Sequence, residues 1–79
     1  MPGKAMIDLT YDPEADAVYI SLSRASVATT DEIASNIFID RDGAGMIIGI
    51  EVLTATRVLA PGDWRRAPRP GATSADAAE

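Results

Sequence analysis

Five carboxylates occupy two short turns. Asp12, Glu14 and Asp16 lie in Asp12-Pro13-Glu14-Ala15-Asp16, and Asp40 and Asp42 lie in Asp40-Arg41-Asp42-Gly43-Ala44-Gly45. Oxygen ligands at this density suit a hard cation such as calcium or magnesium, provided the two turns converge. The calcium-loop spacing is not met, because Asp40-Arg41-Asp42-Gly43 lacks one ligand position. As turn residues the same acids keep the connections solvated and resist edge-to-edge aggregation. No metal site is assigned to them.

Glu51 is a different case, since it interrupts an apolar strand beside Gly49. A carboxylate used for acid–base work needs a pKa raised by burial, and Glu51 has the best setting for one. A salt bridge to Arg57, or an exposed place on the opposite face, is the favoured account of it. Tyr11 and Tyr19 lie at or near the first turn, where an aromatic pair across the strands would be structural. Trp64-Arg65-Arg66 has the composition of a binding hot spot, although basic clusters in tails are also merely solubilising. Glu51, Trp64, Arg65 and Arg66 are therefore the candidate interaction residues. No catalytic or cofactor-binding residue is assigned, and no cofactor is expected.

The chain of 79 residues contains no Cys and no His. That excludes disulfides, thiolate chemistry, serine–histidine triads and the commonest zinc ligands. Nor is there a phosphate-binding glycine loop with its Lys. Formal net charge is −5. It arises within residues 1–60, where Lys4, Arg24, Arg41 and Arg57 face nine carboxylates; residues 61–79 balance to zero. An acidic folded part repels phosphate backbones, so nucleic-acid binding is not expected. No apolar run approaches the ~20 residues that span a bilayer. The alternating start is unlike a secretory signal, so a soluble cytoplasmic protein without membrane contact is the expectation.

The elements that must position these residues follow from period-two patterning. Ile7, Leu9 and Tyr11 alternate with Met6, Asp8 and Thr10; Val18, Ile20 and Leu22 alternate with Tyr19 and Ser21. With Asp12-Pro13 stopping the first run, the two form an antiparallel hairpin. Ser23 to Glu32 is less legible, with Val27-Ala28-Thr29-Thr30 a possible short strand. Ile33 to Asp40 reads as a strand interrupted by Ser35-Asn36. If it is the third strand, both acidic turns fall at one end of the sheet; a strand at Val27–Thr30 puts them at opposite ends. Gly43 and Gly45 can supply the positive φ of the next turn. Met46 to Leu53 is the most apolar strand and should be central. Thr54 can cap a short helix over Ala55-Thr56-Arg57-Val58-Leu59, ended by Ala60-Pro61-Gly62. Residues 62–79, rich in Pro, Ala, Gly and Arg, have the composition of a disordered tail in which only Trp64 can dock firmly.

The expected fold is thus α+β: a small antiparallel β-sheet of about four strands, a meander of hairpins, with one short C-terminal helix. It forms a single domain over residues 1–60, followed by a flexible Pro/Ala/Arg-rich tail over 61–79.

Two stretches resemble a small bacterial family, the domain-of-unknown-function family 2283. One is Tyr11-Asp12-Pro13-Glu14-Ala15-Asp16-Ala17-Val18-Tyr19-Ile20-Ser21-Leu22, which fits the pattern Y-D-x-x-x-D-x-x-Y-I-x-L. The other runs from Ile37-Phe38-Ile39-Asp40-Arg41-Asp42-Gly43 through Ile48-Gly49-Ile50-Glu51-Val52-Leu53 to Ala55. It fits a D-x-D-G turn and a V-G-I-E-I-L segment followed by A-S, with Thr56 in place of Ser and Ala44-Gly45 extending the turn. The resemblance implies a compact antiparallel sheet with a short helix and implies no reaction. It also makes an antitoxin-like role beside a small toxin conceivable.

A domain this small buries only a marginal core, and without disulfides or metal its remaining support is oligomerisation. The leading expectation is a non-enzymatic protein-interaction module that self-associates as a homodimer, through strand edges or the apolar face of Met46–Leu53. The alternative is an antitoxin-like partner or inhibitor of a small basic toxin, and a weaker one is a carboxylate-lined cation or small-ligand site.

Overall fold

In the computed structural model, residues 7–71 are described. Five strands form one antiparallel sheet: β1 (Asp8–Asp12), β2 (Ala17–Ser21), β3 (Thr29–Ala34), β4 (Ile37–Arg41) and β5 (Ile47–Leu53). A single helical turn, α1 (Ala55–Val58), follows, and then a 3-10 turn over Asp63–Arg66. The first hairpin forms as patterned, with Leu9 opposite Ile20 and Tyr11 opposite Val18.

The expected meander of about four strands is corrected in two respects. The run from Ile33 to Asp40 is not one strand. It folds back at Ser35-Asn36, where Asn36 takes a left-handed φ of 67°, a conformation Asn tolerates well. The strand order is β1-β2-β5-β4-β3. Residues 22–28 carry the chain from β2 past β5 and β4 to the far edge, and β5 returns to pair with β2. This is Greek-key order. The fold is mostly β, its helical part being four residues and a 3-10 turn.

Directly opposed residues share a face, so the register divides the sheet into two surfaces. On one, Val18, Val52 and Ala55 are buried, with Leu9, Tyr11, Ile20, Val58, Leu59 and Trp64 packed around them. The α1 turn and the 3-10 turn cover this face. The fully buried hydrophobic residues are only Val18, Ile48, Val52 and Ala55 among those described. A core of four small and medium side chains is meagre.

The segment expected to be a tail from residue 61 contributes to this packing. Trp64 meets Tyr11 edge-on at 5.0 Å between ring centroids, and the Tyr11 N–H donates to the Pro68 carbonyl at 2.9 Å. Residues 72–79 lie outside the described residues.

Candidate functional site

Two of the turn acids, Asp12 and Asp42, are occupied by their own backbones. Asp12 Oδ1 accepts from the Glu14 N–H at 3.0 Å, and Asp42 Oδ1 accepts from the N–H groups of Ala44 and Met46, both at 2.9 Å. Gly45, not Gly43, supplies the positive φ of the second turn, at 86°. Because β3 exists, the two acidic turns stand at opposite ends of the sheet and do not converge. No group of three metal-ligating side chains occurs among the described residues.

Asp16 does something the sequence did not disclose. Its backbone carbonyl accepts from the Ala55 N–H at 2.8 Å, and its carboxylate accepts from the Thr56 N–H at 3.1 Å and the Thr56 hydroxyl at 2.6 Å. The Tyr11 phenol donates to the same carboxylate at 2.8 Å. Asp16 therefore caps α1 from 40 residues away, satisfying its first two N–H groups. Thr54, expected as the cap, makes no side-chain capping bond and sits at φ 54°, strained for a β-branched residue. The Thr56 hydrogen bonds hold the Asp16 carboxyl below its usual range, and the bond to Asp16 raises the Tyr11 phenol.

A second cluster lies on the other face. There Thr10, Tyr19, Glu51, Phe38 and Glu32 form one cross-strand row. Asp8, Ser21, Gly49, Asp40 and Thr30 form the next, and Asp12, Ala17 and Leu53 stand on the other side. The Tyr19 phenol crosses Gly49 and donates to Asp40 Oδ2 at 2.7 Å, while the Thr30 hydroxyl donates to Asp40 Oδ1 at 2.6 Å. Tyr11 and Tyr19 are on opposite faces, so the expected pairing between them does not occur.

Burial, followed by the Asp40 hydrogen bond, pushes the Tyr19 phenol up to about 12. The neutral phenol is the form the fold favours. Its contribution to stability is complete below the ordinary tyrosine pKa of about 10 and is lost as pH climbs toward 12. Urea midpoints should therefore fall across that window, and Tyr19→Phe should flatten much of the decline, leaving the smaller part due to Tyr11. An unchanged slope in Tyr19→Phe would exclude this account.

Of the candidate interaction residues, Glu51 is half-buried in the open row between Tyr19 and Phe38. It forms no hydrogen bond or ion pair among the described residues, where the one salt bridge joins Arg41 to Asp31. Trp64 packs on the opposite face, its indole N–H donating to the Ala60 carbonyl at 2.7 Å. The Arg65 guanidinium lies over its ring at 5.4 Å from the centroid, and Arg66 is exposed. The sheet thus separates Glu51 from Trp64, Arg65 and Arg66.

A five-stranded antiparallel sheet with one covered face and a trans-capped helical turn defines a small β-sheet domain whose other face is open among the described residues. The chain belongs to the family described as Protein of unknown function (DUF2283), whose model matches residues 8–55. No curated protein and no solved structure matches it. Residues marking the resemblance have structural work: Asp16 caps α1, Ala55 fills the core, and Gly49 makes room for Tyr19, while Thr56, where the family pattern has Ser, answers Asp16 through its hydroxyl. No helix among the described residues is long and apolar enough to cross a membrane.

Proposed function

We propose that this domain is a non-enzymatic protein-interaction module that self-associates as a dimer through one end of its sheet. The observation behind this reading is the placement of its exposed apolar side chains. Of the six large apolar side chains exposed among the described residues, Ile7, Leu22, Val27, Met46 and Ile47 share one end, and Ile33, toward the far end of β3, stands apart. Ile7 precedes the Asp8–Ser21 pair and Leu22 follows it, and the Leu22 N–H donates to the Ile48 carbonyl. Val27 precedes Ala28, whose N–H donates to the Arg41 carbonyl, at the end where Met46 and Ile47 open β5. All five therefore gather at the end opposite α1.

Clustered apolar exposure of this kind marks interaction surfaces, whereas scattered exposure does not. Association there would add to a core that is small for one chain. The Met46–Leu53 strand lies in the middle of the sheet and offers no free edge, so its contribution comes from Met46 and Ile47 at its start.

Met46 is 65% exposed and its side chain makes no internal demand, so Met46→Glu should keep the fold. Light scattering is expected to show a dimer at micromolar concentration for the parent. The variant should weaken dimerisation by about tenfold or more, with far-UV circular dichroism unchanged. A parent that is monomeric at that concentration refutes the reading.

A further inference from the structure

The open face described above carries five carboxylates at its thirteen strand positions: Asp8, Asp12, Glu32, Asp40 and Glu51. None of those positions is Lys or Arg. Both described helical turns pack on the other side, so this face has no cover among the described residues. Three of the acids already have partners: Asp40 holds Tyr19 and Thr30, Asp12 holds its turn, and Glu32 accepts from the Asn36 N–H at 3.3 Å. Glu51 differs in being half-buried, without such a partner among the described residues, and flanked across the strands by Tyr19 and Phe38.

We propose that this face docks a cationic segment of a partner protein, with Glu51 seating one Arg or Lys side chain between Tyr19 and Phe38. A carboxylate pairs with the cationic head, and flanking aromatic rings favour the same charge. Leu53 and the two rings provide apolar surface for the aliphatic stem. A second copy of this chain is a poor occupant, because two faces of equal negative charge oppose each other. The apolar end adjoins the Asp8–Thr30 row, whereas Glu51, Tyr19 and Phe38 lie one row further from it, so a dimer joined at that end leaves Glu51 free. This inference therefore stands or falls independently of the self-association.

The test is an amide chemical-shift titration of the full chain with a synthetic octapeptide of alternating Arg and Ala, near physiological ionic strength. Saturable shifts are expected to centre on Tyr19, Phe38 and Glu51. Glu51→Gln should weaken binding about tenfold, as expected for loss of a partly desolvated charge pair. Glu14→Gln, which removes the same charge from the exposed first turn, should weaken it less than about twofold. Equal weakening by both substitutions, shifts spread over the acidic turns, or no saturable binding overturns the proposal. Unchanged circular dichroism and thermal midpoint in Glu51→Gln keep a folding defect from imitating the expected result.

Discussion

Gly49→Ala should lower the unfolding free energy by about 2–3 kcal/mol, the sum of overpacking and a lost hydrogen bond. The sign is the informative part. Glycine inside a strand ordinarily weakens it by roughly 0.5–1 kcal/mol relative to alanine, so the substitution would help at a spacious site. Here a Cβ on Gly49 would overlap the Tyr19 phenol, lying 2.7 Å from its ring carbon Cζ. Tyr19 would have to leave, and with it the bond to Asp40 that ties β2 to β4 across β5. Urea unfolding at fixed protein concentration measures the effect. In a Tyr19→Ala background the clash has no partner, so Gly49→Ala should become neutral or mildly stabilising. A penalty that persists in that background would show that something other than the ring requires glycine. The double-mutant cycle isolates the contact.

Asp16→Ala is the second substitution with a large expected effect. It removes the acceptor of the Thr56 N–H and hydroxyl and of the Tyr11 phenol. It also places alanine at φ 53°, a left-handed conformation better tolerated by Asp or Asn. The thermal midpoint should fall by roughly 5–10 °C, the scale of a lost helix cap in a domain of this size. Asp16→Asn should retain more stability than alanine, since it can still accept hydrogen bonds and suits the backbone.

The acid dependence carries the opposite sign from that of Tyr19. Asp16 has its carboxyl held below the ordinary value, so its contribution is present above the unfolded pKa of about 4 and is lost as pH falls through the lower, folded value. Thermal melts below pH 4 should show parent and Asp16→Asn converging, because Asn keeps the acceptor and suits the left-handed backbone while lacking the charge. Persistent separation in strong acid would mean that the charge of Asp16 is not what holds α1.

Parts of this architecture are plain in the sequence and parts are not, for physical reasons. The first hairpin is legible because Leu9, Tyr11, Val18 and Ile20 alternate with polar residues around an Asp-Pro stop. Met46–Leu53 is legible as a central strand because it is apolar on both faces. β3 is only partly legible: Val27–Thr30 reads as a possible short strand, but all six residues from Thr29 to Ala34 are exposed and no apolar stripe carries the reading onward. Asn36 was the available signal, as a residue able to turn the chain with φ above zero. The β2–β5 pairing leaves no local trace, because alternation tells which face is buried and not which strand lies alongside.

The candidate residues divide in the same way. Glu51 stands out as an acid in an apolar strand, and its place in the open row follows from Tyr19 and Phe38 only once the register is known. Trp64 reads as a hot spot in a tail, yet its ring packs on Tyr11. Nothing local announces that a residue near position 11 awaits one near 64. Asp16 looks like one turn acid among five, and its partner at Thr56 belongs to a separate element.

The Greek-key order also sets a timetable for synthesis. β1 and β2 emerge early, but β2 can acquire its second neighbour only after β5 has been made, through residue 53. An isolated two-stranded hairpin is marginal in water. At about 5–20 residues per second, the intervening segment takes a few seconds on the ribosome. During that interval the nascent β1–β2 hairpin holds Leu9, Val18 and Ile20 without the cover they later receive from β5 and α1. The last strand, not the first hairpin, completes the fold, and a truncation before Leu53 would strand the chain at its most adhesive stage.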